Sequence, residues 1–110
     1  MQLPLQITFR QLRQSAALET AIRENVAKLE AVGSNITSCR VIVEERSRHQ
    51  ANGREFNVRI DLRMPGRELV INRAHDEDAY AAVRDAFEDA RRRLDEELRI
   101  LRGEVKSRRG

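Results

Sequence analysis

Hydrophobic and polar positions change period along this chain, and the changes mark its elements. Leu3, Leu5, Ile7 and Phe9 alternate with Pro4, Gln6 and Thr8, which predicts a half-buried first strand with a proline tolerated near its start. The period then lengthens. Leu18, Ile22, Val26 and Leu29 recur at steps of four, four and three, the stripe of an amphipathic helix. Ser15 suits its N-cap and Gly33 its C-cap, so the helix should run through Val32, with Ser34-Asn35 completing the turn. Alternation returns over residues 36–45, where Cys39, Val41 and Val43 share a face. It recurs where Phe56, Val58, Ile60 and Leu62 oppose Asn57, Arg59, Asp61 and Arg63. Asn52-Gly53 marks the intervening turn. Met64-Pro65-Gly66-Arg67 suits a type II turn into a fourth strand over about residues 68–72. A second helix is then expected, capped by Asp76, with an acidic first turn that complements its dipole. It carries Ala79, Val83, Phe87, Ala90 and Leu94 on one side, continued by Leu98 and Leu101.

This order predicts an α+β domain, a two-layer β-α-β-β-β-α arrangement with a four-stranded mixed sheet and two helices on one face. A right-handed first crossover makes strands one and two parallel if they are adjacent, and the rest form an antiparallel meander. Each helix has one apolar stripe, so both should cover the same sheet face and leave the other to solvent. The 110 residues fit one domain, expected over residues 1–103, followed by a polar basic tail at 104–110.

Composition narrows the function by exclusion. No apolar run approaches the ~18 residues of a membrane span, and the N-terminus lacks the basic-then-apolar pattern of a secretory signal. The single cysteine, Cys39, cannot form an internal disulfide, so a cytoplasmic location is expected. Metal sites need clustered ligands, and Cys39, on an inward strand face, reads as a small buried hydrophobe. His49 and His75 belong to no motif. The acids Asp76, Glu77 and Asp78 lack the spacing of a calcium loop and fit a helix start better. There is no glycine-rich phosphate loop and no nucleophile elbow. The chain therefore reads as a non-enzyme with no cofactor, no metal and no small-molecule substrate. A small hydrolase or metal enzyme would need a buried pocket joining His49 or His75 to Cys39.

Charge supplies the positive signal. The net charge of +3 is weak, but the basic residues are nearly all arginine, whose planar forks pair bidentately with phosphate. On the second helix Arg84, Arg91, Arg92, Arg99 and Arg102 fall on one flank beside the apolar stripe, against Glu88 and Asp95. Pairs at i,i+4 (Arg84–Glu88, Glu88–Arg92, Arg91–Asp95, Asp95–Arg99) would neutralise part of that flank, each worth only ~0.3–0.5 kcal/mol. The remaining cations could lie along phosphates and would lose affinity steeply with salt. Aromatic residues are scarce, and Phe9, Phe56 and Phe87 fall on core faces. Nucleic-acid contact is thus expected to rest on backbone and shape, without base stacking.

Several strings resemble the ribosome hibernation promoting factor family, which includes the ribosome-associated inhibitor A proteins. Glu77-Asp78-Ala79-Tyr80-Ala81-Ala82-Val83 is similar to that family's Glu/Gln-Asp-Met-Tyr-Ala-Ala-Ile at the start of its last helix. Ala27-Lys28-Leu29-Glu30 matches the end of its first helix, and Arg92 two residues before Leu94 resembles its Arg-Gln-Leu. Ile36-Thr37-Ser38-Cys39-Arg40-Val41 and Gly103-Glu104-Val105-Lys106 resemble a short proteobacterial branch. The resemblance runs from Leu3 to about Arg102. It implies the β-α-β-β-β-α fold, binding to the small ribosomal subunit through its rRNA, blockage of the messenger and transfer RNA channel, and ribosome hibernation under stress.

By position, the resemblance makes Lys28 and Arg92 contacts to rRNA, with Arg23, Arg84, Arg91, Arg99 and Arg102 as further RNA-binding candidates. The chain stops where longer members continue, so the expectation includes no C-terminal dimerisation domain. The family's basic residues are replaced at Glu19, Asn25, Ala31, Asp89 and Asp95-Glu96-Glu97. These replacements motivate an alternative: a protein-interaction module on the same fold that has lost most RNA binding. It would use the acidic helix flank, or an open sheet face carrying Arg40, Arg59 and Arg63.

Overall fold

The computed structural model describes residues 4–32, 35–47, 54–75, 78–101 and 103. Strand β1 (Leu5–Arg10) is followed by helix α1 (Ala16–Val32), strands β2 (Ser38–Ser47), β3 (Arg54–Met64) and β4 (Arg67–His75), and helix α2 (Ala79–Leu101). The sheet order is β1-β2-β3-β4. β1 pairs parallel with β2, and β2–β3 and β3–β4 are antiparallel. This is the predicted mixed sheet and α+β order.

Local chemistry sets the element ends. Ser15 Oγ accepts from the Leu18 amide at 3.1 Å, the N-cap bond its position predicts. The chain leaves β1 through Gln11, whose φ of +63° is left-handed and costs a non-glycine residue about 1–2 kcal/mol. Thr37 introduces β2, its amide and Oγ1 donating to the Arg63 carbonyl at 2.7 and 3.1 Å. Gly66 takes φ +73°, as the proline-glycine turn requires, and Met64 pairs with Arg67 across it. Gly33, Ser34 and the Asn52-Gly53 turn lie outside the described residues.

Three expectations are corrected. β2 begins and ends two residues later than 36–45. β4 runs on to His75, because Val58 pairs with Arg73 and Phe56 with His75. The cap of α2 is Asp78: its Oδ1 accepts from the amides of Tyr80 at 2.9 Å and Ala81 at 3.3 Å. The first turn of α2 itself holds no acid, so Asp78 meets the helix dipole from the cap position.

The register sorts the sheet into two faces. Ile7, Val41, Ile60 and Ile71 share one row, and Leu5, Cys39, Leu62 and Leu69 the next. These rows meet the apolar stripes of both helices in one core, in which Ile22, Val41, Val58, Ile60, Leu62, Val83 and Leu94 are fully buried. Both helices therefore lie on one face, as predicted. Ala82, Ala86 and Ala90 are also fully buried, and small side chains at this spacing let α2 lie close to β3 and β4. The outer face carries Gln6, Arg40, Asp61 and Val70 in one row and is uncovered among the described residues. No helix among them is long and apolar enough to cross a membrane.

Candidate nucleic-acid interface

Helix α2 positions the candidate side chains. Its buried residues Val83, Phe87, Ala90 and Leu94 fix its rotation on the sheet, so every third or fourth residue on either flank is forced to the surface. One flank turns toward α1. There Asn25, Lys28 and Leu29 of α1 line an open groove of about 300 Å³ with Arg84, Phe87, Glu88 and Arg91 of α2. A neighbouring hollow is lined by Val32, Glu88, Arg91, Arg92 and Asp95. The helices thus run side by side in the same direction, and Arg91 borders both hollows.

The cations expected on a single ridge are divided. Lys28, Arg84 and Arg91 converge on the inter-helix groove, facing one acid, Glu88. Arg92, which lines the neighbouring hollow, and Arg99 lie further round α2, and both are exposed. Arg92 donates to Asp89 Oδ1, although its side chain is 70% exposed. Arg23 is on the flank of α1 away from Lys28 and pairs loosely with Glu19 at 4.0 Å, so the fold does not bring it to the groove. Arg102 lies outside the described residues.

The neutralising pairs also differ from expectation. Arg84–Glu88, Glu88–Arg92 and Arg91–Asp95 are not formed. Arg84 turns instead to its neighbour Asp85 at 3.3 Å, and Arg92 to Asp89 three residues back. Lys28 and Arg91 are exposed and have no ion-pair partner among the described residues. These are the cations most readily presented to a phosphate, since no carboxylate contact has to break first.

Sequence reasoning missed what the acids on α2 do. Arg73 on β4 reaches Asp89 at 3.0 Å and Asp85 at 3.6 Å, and Arg67 reaches Glu97 at 2.6 Å. Arg93 donates to the Val70 carbonyl at 3.0 Å on the edge of β4. Asp85, Asp89 and Glu97 therefore tie α2 to the edge strand. The signal lay in the period-two spacing of Arg67, Leu69, Ile71 and Arg73, which puts both arginines on the face beneath the helix. Such partly exposed pairs contribute about 0.2–1 kcal/mol each.

Arg40, Arg59 and Arg63 do lie exposed on the open sheet face, where Asp61 accepts from Arg59 at 2.9 Å. Cys39 is buried on the helix-facing side, and burial, reinforced by the Asp61 carboxylate, pushes its thiol up to about 12. His49 lies outside the described residues, and no metal-ligand cluster occurs among those that are described.

Fold and groove together define a small α+β domain in which a cation-lined groove lies between two helices, packed on one face of the sheet. Residues 5–102 match the family described as sigma 54 modulation protein / S30EA ribosomal protein, and the chain belongs to that family. This is the hibernation-factor family that the motifs at residues 27–30 and 77–83 resemble. A ribosomal subunit interface protein from Coxiella burnetii has a similar structure (TM-score 0.72, 15% identity), covering 86% of this chain and 96% of that one. The N-terminal domain of Protein Y from Thermus thermophilus is also similar (TM-score 0.68, 16% identity), covering 87% and 98%. At these identities the likeness is one of fold. No curated protein matches the sequence.

Proposed function

We propose that this protein binds the small ribosomal subunit through rRNA phosphates seated in the groove of Lys28, Arg84 and Arg91. Bound there, it inhibits translation and holds idle ribosomes in reserve under stress, acting in the cytoplasm without catalysis. The observation that carries this reading is the convergence of cations from two helices on one groove, with Lys28 and Arg91 held by no carboxylate among the described residues. Family membership supports it, as does the structural likeness to the Coxiella subunit interface protein. A rigid domain wedged between subunits excludes messenger and transfer RNA by volume alone, so a binding surface suffices and no reaction is needed.

Arg92 and Arg99 form a second rank on this reading, since Arg92 must exchange Asp89 for phosphate. The role belongs to residues 1–103, and removal of 104–110 should leave binding intact. Sedimentation with purified small subunits tests the assignment. Wild type should co-migrate and the Lys28→Glu/Arg91→Glu protein should not, with inhibition of a cell-free translation reaction lost in parallel. Co-migration unchanged by both substitutions and by salt would move the partner to a protein surface, with the open sheet face next to be tested.

A further inference from the structure

We propose that Tyr80 is a stacking platform for an unpaired rRNA base at the head of the cationic groove. The inference rests on reading that groove as an rRNA site, and it departs from the expectation that contact would rest on backbone and shape without base stacking. Phe56 and Phe87 are buried and Phe9 packs against the core, but Tyr80 is 49% exposed.

Placement makes this ring different from an isolated surface tyrosine. Tyr80 precedes Arg84 by four residues, so the two side chains are neighbours on the surface of α2. Arg91, seven residues beyond Arg84, continues the same flank. The ring therefore stands one turn before the first arginine of the groove. A strand whose phosphates follow Arg91 and Arg84 arrives at Tyr80 next. A cationic track that ends on an exposed ring is the arrangement that holds single strands, phosphates on the charges and a base on the π-face.

The ring is also held in place before any ligand arrives. Its own amide donates to Asp78 Oδ1 at 2.9 Å, and the following amides are satisfied by Asp78 Oδ1 at 3.3 Å and the Asp78 carbonyl at 3.0 Å. Ala81 and Ala82 are buried immediately after it. The turn that bears the ring is thus anchored by a cap and by the core, and only two side-chain torsions remain to be ordered on stacking. The ligand class follows: a nucleotide in a single-stranded rRNA segment, because a base inside a duplex has no free face to offer.

The test is the affinity for purified small subunits over 50–200 mM KCl, for wild type, Tyr80→Phe, Tyr80→Leu and Arg91→Ala. Thermal melts should show each variant folded, since position 80 is exposed and leucine is a good helix former. Tyr80→Leu should bind about 5- to 140-fold more weakly, the range for loss of one stacked base. Its dependence of log affinity on log salt should keep the wild-type slope, because no charge is removed. Tyr80→Phe should bind like wild type, and Arg91→Ala should flatten the slope. Wild-type affinity in Tyr80→Leu would overturn the stack. So would a Tyr80→Phe protein as weak as Tyr80→Leu, which would assign the contact to the hydroxyl. A wild-type protein that fails to bind, or binds without salt dependence, would remove the rRNA reading of the groove and the stack with it.

Discussion

Replacing Arg91 by alanine isolates one charge of the groove without disturbing the fold. The guanidinium is exposed, borders both hollows between the helices, and has no ion-pair partner among the described residues. Its loss therefore leaves no buried carboxylate unpaired, and stability should change by less than about 0.5 kcal/mol. Each cation that neutralises an rRNA phosphate contributes about 0.7–0.9 to the negative slope of log affinity against log salt. Lys28, Arg84 and Arg91 together contribute about 2.1–2.7, and the variant keeps about 1.4–1.8. Over a fourfold rise, from 50 to 200 mM KCl, the groove's share of wild-type affinity should fall about 20- to 40-fold and that of the variant only about 7- to 12-fold. Contacts made elsewhere add the same amount to both proteins, so the difference in slope is the quantity to read. Fluorescence anisotropy of end-labelled protein titrated with purified small subunits at four salt concentrations measures it. Arg23→Ala is the matched control, since Arg23 sits on the far flank of α1 beside Glu19. Parallel slopes for Arg91→Ala and wild type, or an equal flattening in Arg23→Ala, would refute the assignment of the groove.

Other consequences are more local. Asp89→Asn should release Arg92 and weaken the hold on Arg73, raising subunit affinity several-fold and steepening the salt slope, while costing less than about 1 kcal/mol in a urea melt. Leu94→Ala empties a fully buried site between α2 and the sheet and should cost about 2–5 kcal/mol by the same melt. Cys39 should resist alkylation by iodoacetamide at pH 8 in the folded protein and react on addition of denaturant, because burial holds its thiol protonated up to about pH 12. The linked stability runs the same way. The unfolded thiol ionises near its ordinary value of 9.0 while the folded one keeps its proton to about 12, so stability falls as pH rises through that window. Cys39→Ala should lose this component of the alkaline decline, measured as urea midpoints at pH 8 and pH 10.5.

Elements, faces and even the Ser15 cap were legible in the linear chain because each depends on residues a few positions apart. The period of two in β3, the period of three to four in α1, and the proline-glycine turn at residues 65–66 are decided by the side chain's direction from its own backbone. Motifs on the same local scale, at residues 27–30 and 77–83, were enough to reach the family. What stayed hidden was which charges meet. Asp89 reads in sequence as an acid placed among arginines, yet its carboxylate is shared between Arg92 on its own helix and Arg73 from β4. Of the expected ridge of five arginines, Arg84 and Arg91 joined Lys28 at the groove and Arg92 and Arg99 lie further round α2, with Arg102 outside the described residues, because the rotation of each helix is set by the core it buries. Charge selectivity at this surface depends on distances of a few ångströms between side chains from different elements. Those distances exist only once the apolar stripes have docked.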